Sequence, residues 1–272
     1  MLRLESELGW WLVTHPDHAR LAGAFAEAWG NEQFLAPEPR RNVLLGIRCH
    51  DDGWAARDAA AQITREGKPS AFSTELVGKY SAFEEIDLED YLAVRGRAVR
   101  MMADEDAYAG LLVSMHTYNL LTERADRSTV RPEQLPLLDP FLAAQRSLQQ
   151  GLLQRIRSGG FSEEQTSDDR IRDHFRLLQA TDNLSLLGCV GYRHAATLLH
   201  PLPLRDGSYA EVRVEPVGER QFRLSPYPFR DRAMSFRLPA RHVEGRTFAS
   251  AAELQERFKS SPVTELIINV SS

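Results

Sequence analysis

Pro201 and Pro203 split this chain of 272 residues into two textures. Ahead of them, apolar residues recur every three or four positions, the period of an amphipathic helix. Behind them, apolar and polar residues alternate, the period of a strand. The helical signal begins after His15-Pro16-Asp17, where Asp17 suits an N-cap. It covers 18–29 (Leu21, Ala22, Phe25, Trp29), 40–54 (Val43, Leu44, Ile47), 104–123 and 140–157, and a further long helix is expected over 163–199. Gly67-Lys68-Pro69-Ser70 marks a loop with a short helix expected after it, and the prolines between Arg131 and Pro140 mark another connection. Ser158-Gly159-Gly160 ends a helix, as paired glycines often do.

In the second texture, Val212 and Val214 alternate with Arg213 and Glu215, Gly218-Glu219 makes a turn, and Gln221 to Ser225 runs back as a hairpin. Met234 to Leu238 and Leu266 to Val270 read as further strands, with a short helix at 250–259 between them. Residues 2–14 also read as extended, with a turn at Gly9. The pattern predicts a mainly α fold. A helical unit over 1–200, all-α apart from the strands at 2–14, carries a small β-rich C-terminal appendage over 201–272 packed on the same unit. The N-terminal strands are expected to join the sheet of the appendage, because the helical body offers no partner for their edges.

Composition narrows the function classes. A formal net charge of −5 opposes nucleic acid and anionic membrane surfaces at long range, so neither is expected as a partner. The two cysteines, Cys49 and Cys189, form no CxxC pair, which suits a reducing compartment. The N-terminus carries acidic residues and no long apolar run, and no segment reaches the roughly 18 apolar residues of a membrane span. A cytoplasmic protein acting on a small molecule, with room for a homodimer, is the expectation.

Polar residues fall on stripes that should be buried. His18 continues the stripe Leu21, Ala22, Phe25, Trp29. After Val43, Leu44 and Ile47, the next inward positions are His50, Asp51 and Trp54. Tyr108, Ala109 and Leu112 lead to His116, and Ile171, Phe175 and Leu178 lead to Asp182 and then Ser185. A lone inward histidine is ordinarily a hydrogen-bonded core residue, and a lone inward aspartate a cap or the partner of an arginine. Successive helices each turning such a residue inward point to one shared purpose. Buried carboxylates are costly unless paired or metal-bound, and no Lys or Arg shares the stripes of Asp51 and Asp182. One divalent cation would offset both charges and take the imidazoles as neutral ligands. Mixed His and Asp ligation suits Fe, Mn, Co, Ni or Zn, as one or two ions.

His18 in HPDHARLAGAFAEAW, then NVLLGIRCHDDGW, then LLQATDNLSL resembles the HD-domain superfamily of metal-dependent phosphohydrolases. The resemblance implies an HD-like helical bundle in which His18, His50, Asp51 and Asp182 ligate the metal, with His116 placed as an extra ligand for a second ion. It spans about 18–190. HDDGW together with Pro226-Tyr227-Pro228-Phe229 also resembles an uncharacterised bacterial family over nearly the whole chain. Gly53-Trp54 stands where many HD enzymes continue with a Gly-Lys or similar polar pair.

The expected chemistry is hydrolysis of a nucleotide or other small phosphate ester by a metal-activated water. Asp51 is the natural ligand or bridge. His116 is either a second-metal ligand or the proton donor to the leaving group. Asp52, about 100° further round the helix, either orients His18 or His50 or is simply solvated. Arg20 and Arg48 flank the stripes and read as surface residues that could meet phosphate. His15, ahead of a proline, reads as a solvated loop residue near the site mouth. Trp54 reads as core packing or a pocket wall, and Cys49 as structural. Two alternatives stand beside the phosphohydrolase: a di-iron oxygenase of the HD type, and a non-enzymatic metal-containing, ligand-sensing module.

Overall fold

The computed structural model describes residues 1–78 and 86–272. About 49% of the chain is helical and about 20% is strand, the latter in one large curled sheet, a half-barrel. The mainly α expectation, with its all-α body, is therefore wrong: the architecture is α/β. The strand segments are scattered over both ends of the chain and gather into a sheet only in space.

Strands β1 (Leu2–Glu5) and β2 (Gly9–Val13) form a hairpin. Near the other end lie β3 (Ala196–Thr197), β6 (Arg213–Gly218), β7 (Gln221–Ser225), β8 (Ala233–Glu244) and β9 (Val263–Ser271). The seven-stranded order is β1-β2-β8-β9-β7-β6-β3, with β4 (Leu202–Pro203) and β5 (Tyr209–Ala210) as a separate pair. All neighbours are antiparallel except β7 and β9. The N-terminal hairpin enters through β2 against β8, with Trp10 opposite Val243 and Leu12 opposite Arg241.

The helices are α1 (His15–Ala28), α2 (Arg40–Arg48), the single turn α3 (Ala55–Asp58), α4 (Leu88–Glu105), α5 (Ala107–Asn119), α6 (Leu138–Arg157), α7 (Asp168–Cys189) and α8 (Ala251–Ser260). Two of the expected helices change their bounds. The helix expected over 40–54 stops at Arg48, with Cys49 as its C-cap and a 3₁₀ turn over Asp52–Trp54. The one expected over 104–123 is broken at Asp106, whose carboxylate accepts the Ala109 N–H and so starts α5. The segment before that break is α4, a long helix absent from the expectation.

One core joins helices and sheet. On β8 and β9, Phe236, Leu238, Leu266 and Ile268 are buried while their neighbours Arg237, Glu265 and Ile267 are exposed, the alternation of a sheet covered on one face. Helices α1 and α7 cover that face: the Phe25 ring meets Phe236 edge-to-face at 4.6 Å, and Gly188 of α7 lies against the Ile268 side chain. Helices α2 and α5 pack beyond them, and α4 and α6 beyond α5. The polar residues of the stripes meet inside this helical stack. Among the described residues, no helix is long and apolar enough to cross a membrane.

Candidate metal centre

Thr14 starts α1 by accepting the Asp17 N–H, and Pro16 fits the first turn, where its missing N–H costs nothing. That start sets the phase that turns His18 inward, where it is 1% exposed. Its Nδ1 lies 2.6 Å from Ser185 Oγ of α7, and the Ser185 hydroxyl itself donates to the Asp182 carbonyl at 2.8 Å. Because that hydroxyl proton is spent on the carbonyl, the oxygen accepts from His18 Nδ1–H. The Nε2 lone pair of His18 is then free.

His50 and Asp51 lie in the turn after α2, so their inward placement comes from the helix C-cap rather than from continued helix periodicity. His50 Nδ1 sits 2.7 Å from the Ile47 carbonyl and donates to it, so Nε2 faces inward; fully buried, that atom has no hydrogen-bond partner among the described residues. His18 Nε2 lies 3.4 Å from Asp51 Oδ2 and 3.4 Å from Asp182 Oδ1, and His50 Nε2 lies 3.8 Å and 3.3 Å from the same two oxygens.

These four separations test whether the residues fit a cation. Donors held about 2.1 Å from one ion stand about 3.0 Å apart in octahedral and about 3.4 Å apart in tetrahedral geometry. Three of the observed spacings fall near the tetrahedral edge, the 3.8 Å from His50 to Asp51 exceeds it, and all four are longer than good N–H···O hydrogen bonds. An unpartnered buried nitrogen costs about 1–3 kcal/mol unless something satisfies it, and Nε2 of His50 aims at both carboxylates. The buried groups His18, His50, Asp51 and His50, His116, Asp182 could each hold a metal ion.

Burial would push both carboxyls up, but Arg95 holds the Asp51 carboxyl well below its usual range, and the neighbouring His50 imidazole lowers Asp182. Burial opposes charge on His50, yet the facing carboxylates raise its pKa to about 9. His116 of α5 goes the other way: burial lowers it to about 3, which leaves a neutral ring. Its Nδ1 meets the Gln179 amide nitrogen at 2.7 Å, while Gln179 Oε1 has no partner among the described residues. With the amide turned over, that oxygen accepts from Nδ1–H and the Nε2 lone pair of His116 joins the others.

No Lys or Arg was expected on the stripes of Asp51 and Asp182, and Arg95 reaches Asp51 from a different helix. It lies on α4, 7% exposed, with Nη1 on Asp51 Oδ1, Nε 3.2 Å from the Tyr91 hydroxyl, and its guanidinium against the rings of Trp54 and Tyr91. The signal was present in the sequence: Leu88, Tyr91, Leu92, Arg95 and Val99 form a helical stripe interrupted by one arginine.

Other candidates lie elsewhere. The Asp52 carboxylate takes Arg20 Nη1 at 3.2 Å at the surface, while Ser185 and the Ile47 carbonyl, not Asp52, orient the two histidines. Arg48 is exposed, and burial together with Asp52 raises the Cys49 thiol to about 11. His15 is no loop residue: it opens α1, its Nδ1 2.9 Å from Asp58 Oδ1 and its ring stacked on Trp54 at 4.5 Å. Trp54 itself is 5% exposed and packs as core, against Tyr91 on another side.

A family model described as "Protein of unknown function (DUF3891)" matches residues 1–245. No curated protein and no solved structure matches the chain.

Proposed function

This chain belongs to that family of unknown function, and we propose that it acts as a metal-dependent hydrolase of small phosphate esters. The observation that carries the reading is the set of N···O separations of 3.3 to 3.8 Å among four buried side chains whose imidazoles are oriented from behind. His18, His50, Asp51 and Asp182 would hold a divalent Fe, Mn, Co, Ni or Zn ion, and the neutral ring of His116 is a further donor beside His50, the ring centres 5.1 Å apart. Such an ion, when bound, lowers the pKa of water and polarises a phosphoryl oxygen.

The chain's own residues prepare that chemistry. Ser185 and the Ile47 carbonyl fix which nitrogen each imidazole presents, so no tautomer change is needed. Arg95 keeps Asp51 ionised and turns Oδ2 toward the histidines. Once a divalent ion displaced the proton of His50, the two carboxylates, the guanidinium and the ion would together carry one net positive charge, suited to a phosphate anion.

Elemental analysis of the purified chain beside a His50→Ala, Asp51→Ala double variant tests the metal. Turnover of a panel of phosphate esters, with and without chelator, tests the reaction. Chelator-sensitive phosphate release supports the reading, and stoichiometric metal retained in the double variant sinks it. One observation favours a second reading, a non-enzymatic metal-holding module: each of these five residues is at most 5% exposed. A metal-loaded chain that turns over no ester on the panel selects that reading.

A further inference from the structure

The two candidate donor groups share His50, which raises the question of how many ions the site takes. We propose that it takes one divalent ion per chain, and that the Arg95 guanidinium occupies the place and supplies the charge of a second cation. The inference rests on the metal-centre reading above and deepens it.

The imidazole of His50 sets the first limit. Its Nδ1–H is committed to the Ile47 carbonyl at 2.7 Å, so only Nε2 has a lone pair to offer. One lone pair binds one ion, and both donor groups need that same atom. They therefore describe a single centre seen from two sides, and a second ion could enter only by way of an oxygen that this centre leaves over.

The carboxylate of Asp51 sets the second. The usual carboxylate bridge between two ions gives one oxygen to each. Here Oδ1 is paired with Arg95 Nη1, and only Oδ2 faces the histidines. The guanidinium is not a loose surface group that an ion could push aside. It is 7% exposed, its Nε lies 3.2 Å from the Tyr91 hydroxyl, and the ring centres of Trp54 and Tyr91 are each 5.3 Å from its central carbon. It stays charged at any pH the fold survives.

Electrostatics agrees with the geometry. With Arg95 in place, one divalent ion leaves the buried cluster with a single net positive charge. A second would leave three, in an interior where each unbalanced charge is expensive. A site so built lacks a place for the second iron of a di-iron oxygenase, and it presents one ion and one fixed cation side by side to an anionic group.

The test is a titration of the metal-free chain with Mn²⁺, with free ion counted by electron paramagnetic resonance and bound ion by elemental analysis. Wild type is expected to saturate at one Mn²⁺ per chain with the spectrum of an isolated ion, and R95K likewise. R95M, which removes the cation and releases Asp51 Oδ1, is expected to take up a second Mn²⁺ with a spin-coupled spectrum. Two ions in wild type, or an R95M variant with unchanged circular dichroism that stops at one, overturns the inference. If R95M does not fold, the wild-type and R95K stoichiometries still decide. Failure of wild type to bind Mn²⁺, Fe²⁺ or Zn²⁺ at all overturns the metal-centre reading instead, so the two failures are distinguishable.

Discussion

Gly53 lies against Ala98 of α4 with no room for a side chain: a Cβ at position 53 would stand 2.7 Å from the Ala98 Cβ and 2.7 Å from the Val94 carbonyl oxygen. The contact seats the turn that follows Asp51 directly on the helix that carries Arg95. Ala98 stands three positions after Arg95, so both lie on the same side of α4. The glycine of the His-Asp-Asp-Gly-Trp string thus has a packing reason. It lets α4 come close enough for a buried guanidinium to reach the Asp51 carboxylate.

Gly53→Ala should therefore destabilise the fold by about 1–3 kcal/mol, the usual cost of forcing atoms into a filled site. It should also weaken metal binding by loosening Arg95 from Asp51. Chemical denaturation of wild type and variant checks the first effect and metal titration the second. A variant as stable as wild type would show that α4 can shift freely.

Ser185→Ala removes the acceptor for His18 Nδ1–H and leaves that donor buried without a partner. The expected result is a loss of about 10–100-fold in metal affinity and about 1–3 kcal/mol of stability. Unchanged affinity in competition with a chelator of known strength would show that Ser185 does not orient the ring.

Single-donor variants should separate into two groups. His18→Ala and Asp182→Asn each remove one of the four tightly spaced donors, and elemental analysis should find the ion gone. His116→Ala should keep the ion at lower affinity, because four donors remain. Asp182→Asn should also lower the thermal stability of the metal-free chain at neutral pH, because the facing His50 imidazole holds the Asp182 carboxyl below its usual range and the variant loses that pairing. A metal-free Asp182→Asn protein that melts above wild type contradicts this.

Acid stability gives a prediction independent of the metal. His174 is 3% exposed, and burial lowers its pKa from 6.5 to about 3. Its Nδ1 lies 2.8 Å from the Tyr108 hydroxyl, which is 3.0 Å from the Gln165 carbonyl, and its Nε2 takes the Glu38 N–H at 3.4 Å. The hydroxyl donates to the carbonyl and accepts from Nδ1–H, so a proton on Nε2 would face an N–H. Between the two pKa values the unfolded chain binds the extra proton and the folded chain does not. Stability is then fully present above about pH 6.5 and falls on acidification toward about pH 3, by roughly 1.4 kcal/mol per unit from this group. His174→Gln should reduce the slope of unfolding free energy against pH by about one proton over that window, and an unchanged slope would mean the ring is protonated in the fold.

Much of the candidate site could be read from residue order. Helix periodicity alone turned His18, His116 and Asp182 inward, because a stripe that starts apolar must remain on the buried side of a continuous helix. His50 and Asp51 are also buried, but by a different route, since their helix had already ended. Arg95 was legible in principle, as one charge in an apolar stripe, yet its partner lies 44 residues away and no local rule pairs them.

The sheet shows the same division more sharply. Alternation in β6 to β9 marked each strand by itself, because a strand's side chains point to opposite faces whatever its neighbours are. Which strands meet depends on the whole chain: β2 finds β8 some 230 residues on, and β7 runs parallel to β9 across a helix. The chain's order determined which faces are apolar and which polar residues those faces carry. Only the packing of α1, α4, α5 and α7 decided that the polar residues converge, since burial is a property of one segment and distance between side chains is a property of how all the segments fill the same space.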